Sequence, residues 1–224
     1  GEENIGRLWA DDGNVTEAAQ NVQAEKDALT LLAEQTKKKE LAPVDHSKID
    51  YLSVRKNLYI VPKALASLTS EEVQKRRIEL EIKIRGKGCP PPIETWEQCG
   101  LRDRILSIIN RCGFGSPFAI QRQAIPALMS GRDVIGVART GSGKTLAFLL
   151  PMIRHILDQP PLAEGEGPIG LIMAPARELV TQIYSEAKKF TKLLGLRVTA
   201  VYGGAGVADQ IGDIKRGADI IVCT

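Results

Sequence analysis

Short β-branched runs alternate with helical periodicity along residues 133–224, and this alternation predicts an α/β fold in which a parallel sheet is flanked by crossover helices. A glycine-rich turn sits at the first strand-to-helix junction of the pattern, between Asp133-Val134-Ile135-Gly136-Val137-Ala138 and Thr145-Leu146-Ala147-Phe148-Leu149-Leu150. The break Gly86-Lys87-Gly88, followed by Pro90-Pro91-Pro92, marks where the α/β part begins. The predicted organisation is an arm over 1–88, largely helical and extended and suited to docking a partner, then the α/β part over 89–224.

The 224 residues suffice for one such domain and an extension. Hydrophobic content of 43% is that of a globular chain, and 30 basic against 27 acidic residues leave a net charge of +3. So small an excess supplies no general field for nucleic acid, and any such contact has to be a local cluster. Cys89, Cys99, Cys112 and Cys223 form no C-x-x-C pair, and His46 and His155 are the only imidazoles. This argues against a zinc site and for reduced thiols in an intracellular protein. There is no basic-then-apolar leader and no run of transmembrane length, so the chain is expected to be soluble, in the cytoplasm or nucleus.

Within the arm, a polar start containing Trp9 leads into an amphipathic helix over 15–39. Its stripe of Val15, Ala18, Ala19, Val22, Ala28, Leu29, Leu32 and Ala33 is thin and alanine-rich, too little to hold an isolated helix. The helix either orders on a partner or is a solvated connector. Pro43 and Pro62 interrupt the rest of the arm. One helix is announced there by Thr69-Ser70-Glu71-Glu72, with Thr69 or Ser70 as cap, and runs to about Glu81. Helices over 102–110 and 121–129 then flank the stretch Gly113-Phe114-Gly115-Ser116-Pro117-Phe118-Ala119-Ile120-Gln121. Strands are predicted over 133–138, 169–173, 197–201 and 220–223, with helices from Thr145, over 177–194 and over 208–215, and a surface loop over 160–168.

Ala138-Arg139-Thr140-Gly141-Ser142-Gly143-Lys144-Thr145 fits the phosphate-loop pattern G-x-x-x-x-G-K-[ST] except that Ala138 replaces the first glycine. A strand, a glycine turn and a helix N-terminus together make an anion cradle, because free N–H groups converge where the helix dipole is positive. Lys144 supplies a mobile charge for β and γ phosphates, and the Thr145 hydroxyl is placed to ligate Mg²⁺.

Several separated stretches agree on one family: the region from Cys89 to Thr224 resembles the first RecA-like domain of the DEAD-box RNA-dependent ATPases. In that family alanine normally takes the first glycine's place in the phosphate loop, so Ala138 fits. Gly113-Phe114 through Gln121 resembles its Q motif, Pro175-Ala176-Arg177-Glu178-Leu179 its motif Ia, and Gly203-Gly204 the glycine pair that follows.

The resemblance implies a RecA-like P-loop NTPase sheet, here an incomplete first helicase domain. It implies that ATP is held by Thr140, Gly141, Ser142, Gly143, Lys144 and Thr145, with Lys144 and Thr145 the catalytic members and Mg²⁺ on Thr145. Gln121 would read the adenine edge and Phe114 would stack near the base, while Trp96 either closes the pocket or packs in the core. Arg177, Gly203, Gly204 and Thr224, the last at the start of a Thr-Pro-Gly motif, would hold RNA phosphates, although Arg177 also suits a surface salt bridge. Two positions depart from the family, Phe118-Ala119 for Thr-Pro and Ala176 for threonine, and the second implies a weaker RNA grip.

Val44-Asp45-His46-Ser47-Lys48-Ile49-Asp50-Tyr51, 55–59 and 86–90 resemble the segment before the core in one branch, the spliceosomal DEAD-box ATPases of prespliceosome assembly. That branch implies a nuclear RNA helicase of pre-mRNA splicing acting on the U2 small nuclear ribonucleoprotein, including its SF3b component. The family's Asp-Glu-Ala-Asp and Ser-Ala-Thr motifs and its second RecA-like domain are not found in 1–224, so activity is expected of the full-length protein and not of these residues alone. A DEAD-box ATPase of another RNA pathway, and an ATP-indifferent component docked through its arm, stay open as alternatives.

Overall fold

The computed structural model describes residues 42–163, 165–204 and 206–224. The helix expected over 15–39 and Trp9 lie outside the described residues. Contacts divide the described residues into two units after Leu52, and the unit ending at Thr224 starts at Ser53. In the described part of the first, Asp45 caps a 3₁₀ turn, His46–Lys48, and His46 Nδ1 lies 2.6 Å from the Tyr51 hydroxyl.

The second unit contains seven α-helices among the described residues: α1 (Lys63–Ala66), α2 (Ser70–Glu79), α3 (Asp103–Arg111), α4 (Ala119–Met129), α5 (Lys144–Ile156), α6 (Arg177–Leu194) and α7 (Val207–Lys215). Its sheet has three strands, β1 (Gly170–Met173), β2 (Val198–Val201) and β3 (Ile220–Cys223). They run parallel in the order β1-β3-β2, so β3 is central although it comes last in the chain. Ile220 and Val222 of β3 are fully buried, and on the edge strand β1 Leu171 and Met173 face outward. Among the described residues no helix is long and apolar enough to cross a membrane.

Local chemistry explains the helices. Thr69 caps α2 with its hydroxyl on the Glu72 amide, while Glu72 reaches back to the Thr69 amide at 2.7 Å, a complete capping box. Helix α6 buries Val180, Ile183, Ala187, Phe190 and Leu194, spaced three and four apart, against the sheet. Helix α3 ends where Gly113 and Phe114 donate to Asn110 and Ile109, the paired bonds of a Schellman motif, and this turns the chain into the 113–121 stretch.

One expectation changes. Residues 133–138 belong to no helix or ladder, and Ile135 and Val137 are 95% and 91% exposed, so the buried parallel strand expected there is not formed. None of the three described strands stands beside it, and a β-branched run becomes a strand only by pairing with a neighbour. Packing divides the chain after Leu52, inside the arm expected over 1–88. The reason is that 53–88 is bound into the core: Leu58, Tyr59 and Leu65 are buried, and the Leu58 amide donates to the Met129 carbonyl at the end of α4.

Charge reinforces that attachment. Asp158, just beyond α5, accepts two bonds from Arg55, at 2.7 and 3.1 Å, and one from Arg154 at 3.2 Å, with Arg102 at 3.7 Å. The Arg55 guanidinium, seconded by Arg154, holds the Asp158 carboxyl below the usual carboxylate range. A carboxyl lowered by folding stabilises fully above its unfolded value, about 3.9, and loses that contribution as pH falls through the lower folded value. Asp158→Asn is therefore expected to reduce hydrogen-exchange protection of the Leu58 amide at neutral pH. The unaltered chain should lose the same protection only below about pH 4; equal protection in both chains at pH 7 would remove the network as a fastening.

Candidate nucleotide and phosphate-binding site

The turn 138–145 is built as a cradle. Gly141 and Gly143 both take left-handed backbone conformations, with φ of 76° and 82°, and Gly143 is the N-cap of α5. Lys144 and Thr145 are thus the first two residues of that helix, where backbone N–H groups are unspent. The Lys144 ammonium donates to the carbonyls of Ala138 and Arg139, at 2.5 and 2.7 Å, so it spans the mouth of its own loop. The Ser142 hydroxyl is buried with no hydrogen-bond partner. A buried unpaired hydroxyl beside an ammonium held only by carbonyls is an arrangement that an anionic oxygen would complete.

Gln121 comes from α4 and is 2% exposed. Its Oε1 accepts from the Phe118 amide at 2.7 Å, and its Nε2 donates to the Gly143 carbonyl at 3.0 Å. The amide is therefore spent on joining α4 to the phosphate loop, with one hydrogen and one lone pair left over. Phe118, at the N-cap of α4, offers no side-chain acceptor, so the Gln121 reach-back is the side-chain bond holding that helix start. Phe114 is half-buried and stacks on Phe190 of α6, ring centres 6.4 Å apart. Trp96 lies in the core at 6% exposure, and its indole N–H donates to the Gly115 carbonyl; it supports the 113–116 loop from beneath.

A second cluster forms at the carboxyl edge of the sheet, the end where open parallel sheets bind ligands. Because β3 lies between β1 and β2, Thr224 emerges between the loop leading to Arg177 and the Gly203-Gly204 pair. The Thr224 amide donates to Val201 at 3.1 Å. Arg177, exposed at the start of α6, lays its guanidinium on Gly204, where a Cβ would stand 2.6 Å from Nη2 and where φ is 80°. Among the described residues Arg177 makes no ion pair, so the salt-bridge reading has no partner there. Ala176 is the N-cap of α6 and makes no side-chain cap bond, which leaves an amide at that helix start for another acceptor.

The structure brings together Gln121, Gly143 and Lys144 on one side and Arg177, Gly204 and Thr224 on the other. Thr145 is the one residue predicted to hold a metal, and among the described residues no group of three or more His, Cys, Asp and Glu side chains joins it. Sequence reasoning missed Gln210, whose side-chain amide accepts from the Tyr202 amide at 2.9 Å and donates to the Tyr202 carbonyl at 3.0 Å. This clamp fixes the loop just before Gly203, and a two-way bond from an amide to one residue's backbone has no local sequence signal. All four cysteines are free, and burial pushes the Cys99 thiol up to about 12.

At Gly143 a Cβ would strike the Gln121 amide nitrogen and stand 2.8 Å from the Phe118 ring, whereas at Gly141 it would meet open space. Gly141→Ala is therefore expected to cost the left-handed penalty alone, about 1–2 kcal/mol. Gly143→Ala should cost at least about 1 kcal/mol more, because the Gln121 bond must also break. Urea unfolding of the two variants checks this, and equal midpoints would show that the contact with Gln121 carries no weight.

Comparison with known proteins agrees with this geometry. Residues 118–224 match the family described as DEAD/DEAH box helicase. The chain is 59% identical over 189 residues to DEAD-box ATP-dependent RNA helicase 45 of Oryza sativa subsp. japonica, covering 84% of this chain and 20% of that protein. It is 54% identical over 207 residues to the pre-mRNA-processing ATP-dependent RNA helicase prp11 of Schizosaccharomyces pombe, covering 92% and 20%. Over 221 residues it is 53% identical to the probable ATP-dependent RNA helicase DDX46 of Homo sapiens, covering 98% and 21%. Among solved structures, the RNA helicase Prp28 from Chaetomium thermophilum bound to ADP superposes with a TM-score of 0.66 at 42% identity, covering 72% of this chain and 40% of that one. The chain spans about a fifth of the length of the curated relatives it matches. Phosphate cradle, amide-tethered α4 and arginine-on-glycine sheet edge thus stand together in a chain that belongs to the DEAD/DEAH box helicase family.

Proposed function

We propose that the protein to which these residues belong is an ATP-dependent RNA helicase of pre-mRNA splicing, acting in the nucleus on the U2 small nuclear ribonucleoprotein. The observation that carries the nucleotide reading is the loop 138–145, with its buried unpaired Ser142 hydroxyl and the Lys144 ammonium parked on two carbonyls. On this reading Lys144 leaves Ala138 and Arg139 for the β and γ phosphates of ATP, and the N–H groups of Gly141, Ser142 and Gly143 enclose them. Thr140 lines the same turn. Gln121 offers its remaining amide hydrogen and lone pair to the adenine edge, and Phe114, backed by Phe190, borders the base with Trp96 supporting the loop between them.

Thr145 would hold Mg²⁺ through its hydroxyl, and when bound the ion neutralises charge on the β and γ oxygens. Arg177, Gly203, Gly204 and Thr224 would contact RNA through its phosphates, a sequence-independent grip that suits an enzyme reading backbone shape. The splicing assignment rests on the pre-mRNA-processing relative from Schizosaccharomyces pombe and on the likeness of 44–51 and 86–90 to its branch of the family. Docking on the U2 particle, SF3b included, is assigned to the arm.

In the full-length protein Lys144→Ala is expected to abolish RNA-stimulated ATP hydrolysis, a loss of about 100-fold or more, the order found when one preorganised transition-state donor is removed. Turnover near the unaltered rate would refute the nucleotide reading. Deleting 15–39 is expected to release the protein from purified U2 particles while leaving its ATPase rate unchanged; undiminished association would take the docking role away from that segment.

A further inference from the structure

We propose that Arg77 is a positioning residue for the nucleotide pocket, acting through Gln123 and helix α4; this rests on reading 138–145 as the nucleotide site. Three consecutive residues of α4 fasten three different parts of the unit. Gln121 holds the phosphate loop at Gly143. Arg122 holds the Pro117 carbonyl with Nε at 2.7 Å and receives the buried Ile93 amide on its own carbonyl at 2.9 Å. Gln123, 7% exposed, meets the guanidinium of Arg77 from α2, whose Nε donates to Gln123 Oε1 at 3.0 Å.

That last joint is closed on every side. Arg77 Nη2 donates to the carbonyls of Cys89 and Pro90, at 3.3 and 3.2 Å, and Gln123 Nε2 donates to the same Pro90 carbonyl at 2.9 Å and to Cys89 Sγ at 3.2 Å. Residues two apart on a helix project to nearly opposite sides, so α4 is clasped by the 70–90 segment on one side and clasps the phosphate loop on the other. The loop side has no slack, since a methyl group at Gly143 would collide with Gln121. A packed helix held on both faces passes a displacement from one to the other instead of absorbing it. Losing Arg77 leaves Gln123 Oε1 unpaired in the interior, frees α4 to shift, and moves Gln121 relative to the loop it holds.

The test measures RNA-stimulated ATPase of the full-length protein with Arg77→Ala, Arg77→Lys, Gln121→Ala, the Arg77→Ala/Gln121→Ala pair and Lys144→Ala. Arg77→Ala is expected to raise KM for ATP roughly fivefold, at the low end of coupling between distinct sites, with kcat nearly unchanged. In the Gln121→Ala background the same change should add little further, because both act through one bond. An unchanged KM, or additive effects, would overturn the proposal, since a merely structural Arg77 would alter thermal stability without coupling to Gln121. Arg77→Lys keeps one donor and should raise KM by less than Arg77→Ala does; if Arg77→Ala does not fold, an unaltered KM in Arg77→Lys overturns the proposal by itself. Activity surviving Lys144→Ala would instead refute the nucleotide reading, leaving the two failures distinguishable.

Discussion

The bond from the Gln121 amide to the Gly143 carbonyl is the joint on which the described site depends. It sets the start of α5 against the start of α4, and both helices bury their apolar faces in one core with α3 and α6. A neutral hydrogen bond contributes only about 1 kcal/mol net, yet a buried amide left unpaired costs more than that. The bond therefore works by exclusion: arrangements of the loop that leave Gln121 unsatisfied are disfavoured. Gly143 is glycine for the same reason, since a side chain there would occupy the amide's place.

The two clusters are held by different physics. The phosphate loop is a backbone device, in which amides and one ammonium wait at a helix start and the ammonium meanwhile occupies carbonyls of its own turn. The sheet edge is a juxtaposition, with three loops meeting because three parallel strands end on the same side and the central one delivers Thr224 between its neighbours. Gln210 gives that edge its rigidity by clamping Tyr202, so Gly203 and Gly204 follow a fixed residue instead of a free loop.

Much of this was legible in residue order. The 177–194 helix was readable because its apolar residues recur at three and four over five turns, and the α2 start because Thr69 or Ser70 could cap it with glutamates in the first turn, the structure choosing Thr69. The cradle was readable from Ala138 to Thr145 since spacing alone places the ammonium and hydroxyl at a helix start. What could not be read were relations between distant residues. Val134, Ile135 and Val137 have the composition of a strand, but whether they pair depends on neighbours that composition does not name. Arg77 and Gln123 stand 46 residues apart, and nothing local distinguishes this arginine from Arg76, which pairs with Glu94. The attachment of 53–88 is hidden for the same reason, because Gly86-Lys87-Gly88 looks like a linker until Arg132 is seen to donate to the Lys87 carbonyl.

The strand order has a consequence for how the protein is made. Among the described strands each outer one pairs only with β3, Gly170 and Val198 both meeting Ile220, so these three strands cannot join until residues 220–223 have been synthesised. Until then the growing chain carries two unpaired β segments, with Leu171 and Met173 on one of them open to water, while α3 to α5 can already pack locally. β3 is thus the strand that joins the other two described strands, and the interval before it appears is when those two segments most need protection from aggregation.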